Sequence, residues 1–341
     1  MQSSSLSAEQ EPRPAIERPV TRRRLLATGV AAGATLLAGC DSDAQNGTGW
    51  TFVDDRKHTI RLKKRPTRIV AYSTAAAALH DWGVTPAGVF GDSPGEDPLL
   101  AGLPWNQVEV VGSVWGQIDI GTLRALKADL IVSRWYPPPD DAPTFGFNDL
   151  RQQQAVGSQV PIVGINGHVI GTRQIDRFGD LARALGAGTT SKEIGQARGA
   201  FAGAAGNLSQ VARRKSNLRI IAVSADQSTM YVARVAAASG DLAFYAHRGV
   251  PLVSAETSDP YWDRLPWKEA GKYPVDAILY DAKEGILPLR NAKAVPAFAE
   301  LPAVRANQIG AWHADPPPSY QQYTRNIDDL AKTIAGWRKV I

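Results

Sequence analysis

Arg68-Ile-Val-Ala-Tyr-Ser73 decides the fold class. It reads as a short apolar strand, and residues 74–82 behind it read as a helix that Gly83 ends. Strand followed by helix, repeated, is the α/β pattern of a parallel sheet. Working outward, residues 87–91 and 108–112 make two more strands, the latter followed by a loop through Trp115. Residues 120–127 form a short helix, Asp129-Leu-Ile-Val-Ser133 a buried strand, 148–158 a helix and 160–165 another strand. These strands and helices make one parallel-sheet lobe. A long helical tract follows, over 172–185 and 189–215, in which Ile175, Phe178, Leu181 and Leu185 recur at helical spacing and give it one buried face. A second α/β series then runs through strands at 218–223, 229–233, 251–253, 277–280 and 308–312, with helices at 241–247 and from 319 to about 338.

The chain has 341 residues, 44% of them hydrophobic, which suits two folded domains rather than a disordered segment. Its one cysteine excludes an internal disulfide and any thiolate cluster for zinc or iron–sulfur. The formal charge is +5, and residues 1–39 supply five Arg against three Glu, so the remainder carries only +3. That balance, without a basic run interleaved with aromatics beyond residue 70, is not a nucleic-acid footprint. No nucleophile elbow, phosphate loop, zinc-protease motif or dinucleotide fingerprint occurs. No catalytic residue is therefore assigned, and the chain reads as a non-enzyme.

The front of the chain reads as an address. Thr21-Arg22-Arg23-Arg24-Leu25-Leu26 opens an apolar stretch over 25–38, too short to cross a bilayer core of about 30 Å. Twin arginines before Leu-Leu resemble a Tat signal. Leu37-Ala38-Gly39-Cys40 resembles a lipobox, which makes 1–39 a signal peptide, Cys40 the acylated mature terminus and 40–49 a flexible tether. The expected location is the extracytoplasmic face of the cell membrane.

The segment from Trp50-Thr-Phe-Val-Asp-Asp-Arg56 to Ile60-Arg-Leu-Lys-Lys-Arg-Pro-Thr-Arg-Ile-Val-Ala-Tyr-Ser73, with Ala125-Leu-Lys-Ala-Asp-Leu-Ile131, resembles the helical-backbone metal-receptor class of ABC-transporter substrate-binding lipoproteins. Members of that class carry ferric siderophores, cobalamin or haem. The resemblance runs from about residue 50 to the C-terminus. It implies an α/β protein of two lobes with mainly parallel central sheets, joined by one long helix that restrains their motion, with a ligand cleft between them. On that basis 50–168 is the N-terminal lobe, 169–190 the linker helix and 191–341 the C-terminal lobe.

Ligands of open α/β sheets bind beyond the carboxyl ends of the strands, and the segments there are unusually aromatic. The first lobe offers Tyr72, Trp115, Arg134, Trp135 and Tyr136; the second offers Tyr231, Arg234, Tyr261, Trp262 and Trp312, followed by His313. The resemblance implies that Tyr136, Trp262 and Trp312 stand where hydroxamate-siderophore receptors contact their ligand. A chelate that already saturates its iron needs flat apolar walls and a few donors, and Arg134 and Arg234 supply forked, permanently charged ones. No protein metal ligands are assigned, and His313 reads as a satisfied polar residue. No resident cofactor is expected. The resemblance also implies an ABC permease with its ATPase as partner, docked on an acidic residue of each lobe, for which Asp119 and Glu269 are the nearest acids. The expected protein is a monomer that captures a ferric siderophore, hydroxamate type favoured. Cobalamin or haem is the alternative within the class, with a bare ferric ion receptor or a cleft enzyme further off.

Overall fold

A computed structural model describes residues 49–341 apart from 92–93, 96–99, 115, 138–142, 145 and 283–285. Cys40, the leader and all but the last residue of the tether lie outside the described residues, as does Trp115. The chain enters through a small antiparallel hairpin, β1 (Trp50–Val53) and β2 (Thr59–Leu62), in which Trp50 pairs with Leu62. Strict alternation turns Trp50 and Phe52 inward. The hairpin is pinned to the first lobe by Asp54, whose enclosed carboxylate accepts from the backbone N–H of Arg56, His58 and Gly164, each at 3.0 Å.

The first lobe is a sheet of β3 (Ile69–Tyr72), β4 (Gly88–Phe90), β5 (Glu109–Gly112), β6 (Leu130–Trp135) and β7 (Ile162–Asn166) in the order β5-β4-β3-β6-β7, every pairing parallel. Val70, Ala71, Ile131, Val132 and Val163 are wholly buried, as apolar strands covered on both faces must be. Helices α1 (Ser73–Asp81), α2 (Ile120–Ala125) and α3 (Leu150–Gly157) connect them. Asp119 and Asp149 cap α2 and α3, each carboxylate taking a first-turn N–H. Helix α4 (Gly171–Ala184) leaves β7 and buries Ile175, Phe178 and Leu181, the spacing read from the sequence. Its last turn receives the Trp50 indole N–H on the Ala184 carbonyl at 2.8 Å. The 23-residue α5 (Lys192–Arg214) then lies along the C-terminal helix.

The second lobe holds β8 (Ile220–Ala225), β9 (Thr229–Ala233), β10 (Trp262–Pro266), β11 (Ala277–Asp281) and β12 (Ile309–Trp312) in the order β10-β9-β8-β11-β12. Helices α6 (Val235–Ala238) and α7 (Gly240–His247) follow β9, and a 3₁₀ turn, Trp267–Lys272, follows β10. The short α8 (Leu289–Ala292), α9 (Pro296–Ala299) and α10 (Pro302–Arg305) lead to β12, and α11 (Tyr320–Ala335) closes the chain.

Two expectations change here. Residues 251–253 do not form a strand; Leu252 makes one isolated bridge to Ile220. The second sheet also differs from the first, because β8–β9 and β9–β10 are antiparallel and only β8–β11 and β11–β12 are parallel. The reason is loop length: Asp226, Gln227 and Ser228 alone separate β8 from β9, whereas a parallel return needs a crossover of a dozen residues or more. Since β9 runs backwards, Arg234 after it and Tyr261 before β10 lie away from the carboxyl edge of β8. The mainly parallel two-lobed α/β class nevertheless stands.

Candidate functional site

The residues that bring the two lobes together come from the carboxyl edge of the first sheet and, in the second lobe, from the segments just before β10 and just after β12. Tyr136 and His168, just beyond β6 and β7, pack edge to face at 5.0 Å between ring centres. His168 lies 4.7 Å from the ring of Tyr261, and the Tyr261 hydroxyl donates to the Pro137 carbonyl at 3.3 Å across the join. His168 Nδ1 also meets that carbonyl, and burial holds the imidazole below its usual pKa, so it is neutral at pH 7 and donates from Nδ1. Tyr136 crowds the backbone of Gly167, where a side chain would clash with its ring. Burial drives the enclosed Tyr136 hydroxyl well above the ordinary tyrosine range.

In the second lobe Trp262 touches both Tyr231 and Trp312, each at 6.3 Å between ring centres. The Tyr261–Trp262 step is set by Asp259, whose carboxylate accepts from both backbone N–H groups at 2.8 and 3.0 Å. Those two bonds hold its pKa below the usual range. The Tyr231 hydroxyl donates to Asp226 at 2.6 Å, which helps pull Asp226 down to about 2. Arg234 is half-buried and donates to the Asp259 carbonyl at 3.1 Å. Trp135, Tyr136, Tyr231, Arg234, Tyr261 and Trp262 all keep some solvent exposure.

Three expected site residues are placed differently. Tyr72 is buried against Phe90, edge to face at 5.7 Å. Trp312 is buried, and its indole N–H donates to Asp241 at 2.7 Å. Arg134, expected as a donor to chelate oxygens, is 1% exposed. Its fork is spent on Gln174 of α4 at 2.8 Å and on Asp315, through the carbonyl at 3.0 Å and the carboxylate at 3.2 Å. The physical reason is that a guanidinium this deep needs a counter-charge. Burial works against its charge, while the Tyr136 and Asp315 oxygens hold it protonated. Arg134 is therefore a tie from β6 to the loop after β12.

That tie belongs to a buried polar cluster which sequence reading missed. Ser239 Oγ reaches both Asp241 and Asp315, the latter at 3.1 Å. One hydroxyl has a single proton to give, so two carboxylates meeting at it are best served when one of them carries a proton. Burial first, then the Asp315 charge, pushes Asp241 up to about 7. The available signal was an acid inside the apolar helix Gly240-Asp-Leu-Ala-Phe-Tyr-Ala-His247 and an Asp opening the run Asp315-Pro-Pro-Pro318. Asp315 adopts a left-handed backbone, φ 53°.

Asp119 and Glu269, expected at the permease interface, are exposed. Asp119 sits beside the carboxyl end of β5, its N–H on the Val111 carbonyl at 2.8 Å, and hydrogen bonds from Thr122 and Gly121 lower its pKa. Glu269 lies in the 3₁₀ turn after β10, beyond the carboxyl edge of β8, since β10 runs parallel to β8. His313 is exposed, and among the described residues no group of three His, Cys, Asp or Glu gathers as a metal site. Nor is any described helix long and apolar enough to cross a membrane.

No protein-family model matches the sequence, and a search of curated proteins gives no match. Solved structures do match. DesE, a ferric-siderophore receptor protein from Streptomyces coelicolor, superposes with a TM-score of 0.78 at 29% identity, over 86% of this chain and 100% of the receptor. The FhuD protein from S. pseudintermedius gives 0.59 at 18% identity, over 84% and 98% of the two chains. PiuA, an iron uptake ABC transporter substrate-binding protein from Streptococcus pneumoniae, gives 0.59 at 16% identity, over 84% and 99%. These neighbours are receptors and binding proteins rather than enzymes. With both α/β lobes in place and the full length of DesE matched at 29% identity, the chain has the two-lobed fold of that ferric-siderophore receptor.

Proposed function

We propose that this protein is the extracytoplasmic, lipid-anchored substrate-binding component of an ABC importer, capturing a ferric siderophore between its lobes and handing it to the permease. The carrying observation is the partly exposed aromatic belt that starts where the lobes meet, at Tyr136 and Tyr261, and continues over the second lobe through Trp262 to Tyr231, with Arg234 beside it. Such walls suit a bulky, partly apolar chelate that already saturates its metal. The likeness to DesE supports iron chelate as cargo. A hydroxamate chelate is favoured because its apolar arms suit the aromatic ring faces and its weakly anionic oxygens suit the rim cation Arg234. Cys40 supplies the anchor, Asp119 and Glu269 the docking acids, and the protein works as a monomer.

The test is quenching of intrinsic tryptophan fluorescence, with nine tryptophans to report. The panel is ferrioxamine, ferrichrome, ferric enterobactin, cobalamin, haemin and ferric citrate. Saturable quenching by the two hydroxamates at the lowest concentrations is expected. Tighter response to cobalamin or haemin reassigns the cargo, and no response to any chelate refutes the reading.

A further inference from the structure

All strands of the first sheet run the same way, so the residues just before them share the edge opposite Tyr136 and His168. That edge is cationic. Ile69 pairs with Leu130, which sets the segments before β3 and β6 side by side, and Arg68 Nε donates to the Lys127 carbonyl at 2.6 Å to bind them together. Lys63, Lys64 and Arg65 are exposed on one segment, Arg124 and Lys127 on the other. No acid occurs between residues 59 and 80. The local acid, Asp129, is occupied by the backbone N–H groups of Thr67 and Arg68, while Glu109 stands exposed at the start of β5. Arg124 and Lys127 also border a hollow of about 120 Å³ whose floor includes Leu123 and Val156. These cations lie in two stretches about 60 residues apart in sequence, which the pairing of β3 with β6 brings to one edge.

The chain reaches the body at the same place. Trp50 pairs with Leu62, so Gly49, the first described residue, lies beside Lys63. We propose that, while the protein is not engaged with its permease, this basic edge of the first lobe docks on an anionic lipid surface, which leaves the ligand-facing edge open to arriving cargo. Clustered cations at an anionic leaflet each add about fivefold to binding, an attraction that salt screens within about 10 Å.

The experiment uses the full chain with Cys40→Ser, which cannot be acylated, in vesicle sedimentation on phosphatidylcholine alone and on phosphatidylcholine mixed with phosphatidylglycerol. Stronger binding to the mixed vesicles that falls with added salt is expected. Reversal of Lys63, Lys64 and Arg65 to Glu then lowers it by about a hundredfold or more, with the thermal melt unchanged. Arg22 to Arg24 of the leader are the same in every variant, so they do not produce that difference. Reversal of Arg213 and Arg214, exposed at the end of α5, leaves it unchanged. The proposal falls if the triple reversal binds like its parent, if the α5 reversal costs as much, or if short duplex DNA binds the parent more tightly than the vesicles do. No cargo enters the assay, and chelate titration of the triple variant reads the proposed function separately.

Discussion

Asp241→Asn probes the buried cluster most directly. Asp241 is fully enclosed on α7, facing Asp315, Ser239 and Trp312, with Arg134 from β6, Tyr323 from α11 and Tyr245 of its own helix as the other polar or titratable neighbours. An ordinary aspartate loses its proton near 4, whereas this one holds it to about 7. The folded protein thus binds a proton that the unfolded chain has released between those values, so stability is full below pH 4 and declines as pH rises to about 7. At about 1.4 kcal/mol per tenfold in proton affinity, the loss across that window is about 4 kcal/mol as an upper value. Asparagine keeps the oxygen for the Trp312 N–H and has no carboxyl to titrate. The assay is urea unfolding of parent and variant from about pH 5 to about pH 8, taking the difference at each pH so that groups common to both cancel. The variant is expected to gain about 2 to 3 kcal/mol on the parent from the acid to the alkaline end, the share of the window that lies above about pH 5. Parallel stability curves would show that Asp241 does not hold a shared proton, and the account of the cluster would be wrong.

Asp315→Ala strands the enclosed Arg134 charge and is expected to cost about 3 to 5 kcal/mol, with Arg134→Met in the same chain recovering much of it; urea unfolding measures both. Trp262→Ala weakens chelate binding by about 1 to 3 kcal/mol while the melt stays near the parent's, because Trp262 keeps solvent exposure. Trp312→Ala instead lowers folding stability, by about 3 to 5 kcal/mol, since its ring is buried and its N–H is bound to Asp241. Cys40→Ser moves the protein from the salt-washed membrane fraction to the soluble one with chelate affinity unchanged; persistence in the washed membranes refutes the anchor.

Much of the architecture was legible because strand and helix signals are local. Arg68-Ile-Val-Ala-Tyr-Ser73 and Asp129-Leu-Ile-Val-Ser133 appear as β3 and β6 with apolar residues buried on both faces, and Ile175, Phe178 and Leu181 fall on one side of α4 as their spacing requires. Strand direction was harder. The short stretch after β8 was open to reading as a hairpin, yet two similar lobes suggested a parallel return, and β10 carries too few apolar residues in Trp262-Asp-Arg-Leu-Pro266 to announce itself. In the site, aromatic residues were visible as types but not as exposures. Tyr136 and Tyr72 look alike in sequence, and only packing leaves Tyr136 part of a shared edge and sets Tyr72 in the core against Phe90.

By itself the sequence determined what depends on neighbours along the chain: the alternation of strand and helix, and the caps at Asp119, Asp149 and Ser319. The tertiary structure decided which charges meet. Arg134 and Asp315 are separated by 181 residues, and no local rule could pair them; burial makes that pairing necessary, because an enclosed guanidinium without a counter-charge would not be tolerated. The same holds for Lys63 and Lys127, brought to one edge by parallel strands whose order no single segment encodes.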